Sequence, residues 1–195
     1  GGVSALTDEI EGAEDDSIAG ESVMKNTGVN RKDVVLGLSA SGTTPFVLAA
    51  MEYTKQQGSA RIGLACEMDS VLLKNVDVAI CVPVGPEILY GSTRLKAGTA
   101  QKMILNMLST AVMVKLGKVY KNHMVDLWVS NIKLARRAEV MVAELGEVSQ
   151  ETATKLLKET GNNVKTAIVM AKRKINILEA EKNLKAVDGI LSKII

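Results

Sequence analysis

The stretch VVLGLSASGTTPFVLAAMEYTKQQG, residues 34–58, decides the fold class. Val34-Val35-Leu36-Gly37-Leu38 is a short apolar run between the polar Asn30-Arg31-Lys32-Asp33 and a Ser/Gly/Thr cluster, the pattern of a buried strand. Pro45 suits a first helical turn, Phe46 to Tyr53 continue it, and Gly58 closes the segment as a C-cap does. A strand, a loop and a helix therefore follow one another directly.

Working outward, Arg61 to Cys66 and Val78 to Val84 give two further short apolar runs, each set off by residues able to form a helix or a turn. Strands alternating with helices predict an α/β fold whose parallel sheet is covered on both faces. From Ser92 the pattern changes. Leu95, Ala97, Met103, Ile104, Met107, Leu108, Ala111, Val112 and Val114 surround nearly the whole of a long helix ending near Gly117, and a helix apolar all round is expected to be buried. A second helix is expected over about 122–145, with Met124, Leu127, Trp128, Ile132 and Leu134 on its inner side and Gly146 ending it. After Ser149, a candidate N-cap, no strand pattern remains. Three short helices fit there, broken at Gly161-Asn162-Asn163, around Asn176 and at Asp188-Gly189. The expected division is an α/β domain over 1–120 and an all-helical C-terminal region over 121–195, with a three-helix unit at 148–195. Within that unit LLKETGNNVKTAIVMAK resembles the helix, Gly-Asn turn and helix of ubiquitin-associated (UBA) domains. Small three-helix units recur widely, so this UBA-like string is not taken as a ubiquitin site.

Composition bounds the class. The 195 residues are 47% hydrophobic and 24% charged, an ordinary globular balance. A net charge of +2 from 24 basic and 22 acidic residues gives no field suited to nucleic acid. The start is acidic (Asp8, Glu9, Glu11, Glu14, Asp15, Asp16, Glu21), and the later basic run Lys165, Lys172, Arg173 and Lys174 reads as a solvated helix face. Cys66 and Cys81 sit in apolar runs and read as reduced, buried thiols. No stretch approaches the roughly 18 apolar residues of a membrane span, and the opening Gly1-Gly2 with its acidic sequel is no leader, so a soluble cytoplasmic protein without a membrane partner is expected.

The chemistry concentrates in Ser39-Ala40-Ser41-Gly42-Thr43-Thr44-Pro45, where a strand end meets a helix start and unpaired amides and the helix dipole favour an anion. Phosphate fits. Hydroxyls of Ser39, Ser41 and Thr44 add donors, and Gly42 lets the backbone approach without a Cβ. A Ser/Thr-rich helix cap explains the same composition. The loop is neither a Walker loop, for want of Gly-Lys-Ser/Thr, nor a dinucleotide fingerprint, for want of its glycine spacing. His123 is the only histidine, which disfavours a Ser-His-Asp triad and excludes a histidine-rich zinc site, leaving it a structural residue. Arg94 and Lys96 suit phosphate neutralisation, subunit bridging or a structural role.

The arrangement Ser39-x-Ser41-Gly42-x-Thr44 is similar to the phosphosugar loop of sugar isomerase (SIS) domains, a three-layer αβα fold. EGAEDD at 11–16, GPEILYGSTRLKAGTAQKMILNMLSTAVMVKLGKVY at 85–120 and NHMVDLWVSNIKLARRA at 122–138 resemble one family on that fold, the N-acetylmuramic acid 6-phosphate etherases, and more distantly the glucokinase regulatory protein. The resemblance runs over essentially the whole chain.

It implies elimination of D-lactate from the sugar followed by addition of water, giving N-acetylglucosamine 6-phosphate with no metal or other cofactor. It assigns Glu14 as one of two acid/base glutamates, the base, and Glu11 as a sugar contact on the same side of a helical turn. It places Ser39, Ser41, Gly42 and Thr44 on the substrate phosphate. Without it, Glu11 and Glu14 are ordinary members of an acidic surface. It also implies an N-terminal third, with the second catalytic glutamate and another phosphate loop, before Gly1, so the sheet is expected to be incomplete and this chain alone weakly active or inactive. Thr43 stands where many etherases carry Arg, and Glu67-Met68-Asp69 replaces a usual Asn-Pro turn, which leaves substrate preference open. The alternative is a regulator that binds a sugar phosphate without turning it over. A homodimer is expected, with the Met103 to Val114 helix as a candidate interface.

Overall fold

In the computed structural model the described residues are Val3, Thr7, Asp8 and 10–195; Gly1-Gly2 and Glu9, on which part of the sequence reading fell, lie outside them. Two compact units divide the chain, Gly1–Leu105 and Asn106–Ile195.

In the first unit Asp16 accepts a 2.8 Å hydrogen bond from the Ala19 amide and so caps α1 (Ser17–Thr27). There follow β1 (Val34–Leu38), α2 (Pro45–Gln56), β2 (Ala60–Ala65), the single turn α3 (Val71–Lys74) and β3 (Val78–Cys81). The strands form a parallel sheet in the order β1-β2-β3, with Val34 beside Ala60 and Ile62 beside Val78. All three therefore end on the same side, where ligands of open parallel sheets gather. The central strand is the buried one: Leu64 and Ala65 are fully covered, whereas Val34 on β1 and Val78 on β3 stay largely exposed as edge residues do. Cys66 and Cys81, expected to be buried, are only half-buried, because both stand at strand ends where the sheet opens to solvent.

The long helix α4 (Lys96–Lys115) forms as the apolar periodicity predicts, but it is not buried. Ala97 is its single buried residue, and Met103, Met107, Val112 and Val114 are about half exposed. A helix apolar all round states only that its faces suit cover; cover itself must come from other elements.

In the second unit, the end of α4 is followed by a hairpin of β4 (Val119–Tyr120) and β5 (His123–Met124), turned through Lys121 at φ 53°. The helix expected over 122–145 therefore starts ten residues late, as α5 (Ile132–Gly146), where the Asn131 side chain accepts from the Leu134 amide. Its buried face is Ala138, Met141, Val142 and Leu145, while Trp128 and Ile132 are exposed. Apolar residues at mixed spacing across a hairpin had mimicked helical periodicity. Next come α6 (Gln150–Glu159), α7 (Val164–Arg173), α8 (Ile177–Ala186) and a short 3-10 turn at Leu191–Lys193, with breaks where the Gly and Asn residues placed them. Helix α7 is the core: Val164 through Met170 are all buried.

The basic run is solvated at Lys172, Arg173 and Lys174, which are exposed as expected, but not at Lys165. Lys165 is buried and ion-paired with Asp126 at 3.6 Å, Lys172 pairs with Glu147, and the Arg173 Nε donates to the Ile194 carbonyl at 2.9 Å. These cations close the helical unit. His123 lies 3.4 Å from a Glu144 oxygen, a contact within this unit.

Candidate functional site

The turn after β1 is held by its own hydroxyls. The buried Ser39 Oγ lies 2.7 Å from the Thr44 Oγ1 and 3.4 Å from the Ser41 Oγ, and accepts from the Gly42 amide at 2.9 Å. Ser41 Oγ in turn accepts from the Thr43 hydroxyl at 2.9 Å and, at 3.3 Å, from the Thr43 amide. Helix α2 starts here with Thr44 at its N-cap, yet Thr44 makes no side-chain cap bond. The amides of Ser41 and Thr44 have no partner among the described residues. Free amides, three clustered hydroxyls and a helix start favour a bound anion.

Gly42 does not line the cavity beside this turn. It is buried at φ 67°, and a Cβ there would stand 2.3 Å from both the Cβ and the Oγ of Ser70. The glycine is thus required by its left-handed backbone and by Ser70 behind it, and shapes the turn from below. Ser70 itself is buried, with no partner for its Oγ among the described residues.

Glu14 reaches the turn through α1. Its backbone carbonyl accepts from the Phe46 amide at 3.0 Å, in the first turn of α2. Gly20 makes this possible: a Cβ on it would lie 2.2 Å from the Phe46 carbonyl oxygen, so α1 packs directly on the α2 backbone. In consequence Glu14 lines one open cavity of about 580 Å³ together with Ser39, Ser41 and Thr44, a volume suited to a small ligand. Glu11 is not on that wall. It lines an adjoining hollow of about 560 Å³ that also holds Glu14 and Thr44. The two glutamates are not on a helical turn as expected: residues 11–15 form a non-helical turn with Gly12 at φ 72°.

The far chain of the cavity is Thr93, Arg94, Gly98 and Gln101. It is fixed by Glu87, whose two oxygens each accept at 3.0 Å from the amides of Lys96 and Ala97 and so cap α4. The Ala97 amide chiefly, with that of Lys96, holds the Glu87 carboxyl below its usual range. Glu87 lies in the string at 85–120 that carries the family resemblance, but its role was open in the sequence, because a cap contributed from nine residues upstream lies outside the local cap patterns. Burial, then the neighbouring Cys81 and Glu87, push the Cys66 thiol upward, so it is not an activated nucleophile. Among the described residues no group of three or more His, Cys, Asp or Glu could hold a metal, and no helix is long and apolar enough to cross a membrane.

Comparison with known proteins covers both units. Residues 14–111 match the SIS domain model, and residues 121–160 match the C-terminal lid domain of glucokinase regulatory protein. Along its full length the chain is 47% identical to proteins named N-acetylmuramic acid 6-phosphate etherase from Lactobacillus acidophilus and Clostridium acetobutylicum, of which it covers 65% each. A relative of the same name from Oenococcus oeni is also 47% identical, with 66% of its length covered. The chain thus spans just under two thirds of these relatives.

Proposed function

The chain belongs to the SIS domain family, and on that basis we propose that it is the phosphosugar-binding and lid portion of an N-acetylmuramic acid 6-phosphate etherase, a carbon–oxygen lyase. The observation that carries the reading is that Glu14 and the Ser39 turn line one cavity. In this reading Ser39, Ser41 and Thr44, with the free amides of Ser41 and Thr44, hold the substrate phosphate. Gly42 keeps the turn in shape. Glu11 contacts the sugar from the adjoining hollow. Substrate-binding residues fall within 1–120, and 121–195 supply the helical region.

Fixing the phosphate at the start of α2 places the sugar ring toward Glu14. As general base, Glu14 removes the C2 proton; the C3–oxygen bond to the lactyl group then breaks and D-lactate departs, taking a proton from a second acid. Water adds at C3, and N-acetylglucosamine 6-phosphate results. Among these 195 residues the resemblance supplies a single acid/base glutamate, so the polypeptide assayed alone is expected to release lactate far more slowly than a full-length relative. Lactate release by this chain, and by the same chain mixed with the N-terminal third of a relative, tests the proposal. Rescue that depends on Glu14 supports it; rescue undiminished by Glu14→Gln would refute it.

A regulator that only binds sugar phosphate is the second reading, favoured by the match of 121–160 to the lid of glucokinase regulatory protein. It predicts phosphosugar binding with no turnover in any context. The half-exposed apolar residues of α4 support a homodimer, which a monomeric mass in sedimentation equilibrium at micromolar concentration would exclude. The reading places the protein in the cytoplasm, without cofactor.

A further inference from the structure

The proposed substrate carries two anions, the 6-phosphate and the carboxylate of the lactyl group. Among the described residues the cavity offers two carboxyl-bearing residues, Glu14 and Asp15, and a single cation, Arg94. The phosphate has a place of its own in the Ser39 turn, with hydroxyls and free amides. A second anion entering beside Glu14 and Asp15 meets repulsion unless a cation offsets it.

Resting on the etherase reading, we propose that Arg94 binds the lactyl carboxylate and so selects the muramic acid substrate over sugar phosphates that lack this group. Arg94 comes from the loop between Gly91 and α4, a different segment from the phosphate turn. It makes no ion pair or hydrogen bond among the described residues, although Glu14 and Asp15 line the same cavity. Its guanidinium is therefore unspent, and a planar fork of donors matches a carboxylate with two parallel hydrogen bonds. The Glu87 cap on the Lys96 and Ala97 amides fixes the chain two residues beyond it, limiting how far the Arg94 backbone can wander. Holding the carboxylate also orients the lactyl oxygen as leaving group, so specificity and positioning come from one contact.

The test is calorimetric titration of two ligands, N-acetylmuramic acid 6-phosphate and N-acetylglucosamine 6-phosphate, into the chain carrying Glu14→Gln, which stops turnover. Adding Arg94→Gln is expected to weaken the first ligand about 10- to 100-fold, the range of a lost charged hydrogen bond, and the second less than about 2-fold. Arg94→Lys, which keeps charge but loses the fork, is expected to weaken the first ligand selectively by a smaller factor and serves equally if the Gln variant misfolds. Equal losses for both ligands would place Arg94 on the phosphate and overturn the inference, as would no loss for either. If the Glu14→Gln chain with Arg94 intact binds neither ligand, the sugar-phosphate reading itself falls.

Discussion

The helices of the C-terminal unit close their first turns with their own side chains, and helix α2 of the α/β unit does not. Asn131, Ser149, Asn163 and Asn176 accept from the amides of Leu134, Thr152, Thr166 and Glu179 at 2.9, 3.2, 3.1 and 3.0 Å. Thr44, in the equivalent place before α2, turns its hydroxyl to Ser39 instead and leaves its own amide free. A satisfied helix end contributes about 1 kcal/mol to folding. An unsatisfied one, among hydroxyls at the ends of parallel strands, forgoes that contribution, which under the proposed function a bound phosphate would restore. Ser70 before the single turn α3 also makes no side-chain cap bond, so a missing cap alone does not mark a ligand site; the hydroxyl cluster and free amides set the start of α2 apart.

The largest expected effect breaks the scaffold beneath that difference. Gly20→Ala improves helix propensity by up to about 1 kcal/mol, but its Cβ would meet the Phe46 carbonyl at 2.2 Å, backbone against backbone, where no rotamer change relieves the clash. A net loss of roughly 1–3 kcal/mol is expected from urea unfolding, together with loss of phosphosugar binding as Glu14 and α2 separate. Unchanged affinity in the folded variant would show that α1 does not position Glu14.

A paired substitution sharpens the comparison. Ser39→Ala removes the hydroxyl at the centre of the turn, yet the Gly42 amide keeps the Ser39 carbonyl at 3.1 Å, so less than about 1 kcal/mol of stability is at stake. Affinity for N-acetylglucosamine 6-phosphate is expected to fall about 10-fold. Asn163→Ala should do the reverse, costing about 1 kcal/mol of stability with affinity unchanged. Should both variants lose stability alike and neither lose affinity, the Ser39 turn is only another cap.

Most of this difference was legible in the sequence. Val34 to Leu38 followed by Ser39-x-Ser41-Gly42 gave strand and turn, although β1 is an edge strand with Val34 exposed and not the buried strand expected. Ser149 and the Asn breaks gave the helical tail. What escaped were contacts made at a distance: Glu87 on the α4 amides, Lys165 on Asp126, and Gly42 against Ser70. No local period encodes them. The misplaced start of α5 has another cause, for Met124, Leu127 and Trp128 fit a helix of 3.6 residues per turn as well as they fit a hairpin and its exit. The etherase resemblance supplied Glu14, which chemistry alone could not separate from six other acidic residues near the start.

The smallest expected effect lies in the closed unit, where electrostatics serve folding only. Burial pushes the Asp126 carboxyl upward, but the Lys118 ammonium bonded to it, with Lys165, outweighs burial and holds it below the usual carboxylate range. A carboxyl depressed in the folded state stabilises above its unfolded pKa and loses that contribution as pH falls through the folded value. Wild-type stability should therefore decline below about pH 4 by an amount absent from Asp126→Asn. At neutral pH the variant should be weaker by up to about 1 kcal/mol, because solvent reaches part of the pair and because the buried Lys165 loses its partner. Thermal unfolding of both proteins between pH 3 and 7 reads the difference. Curves that stay parallel across that range would show that Asp126 contributes through packing and not through its charge, leaving the apolar core around α7 to hold the helical unit.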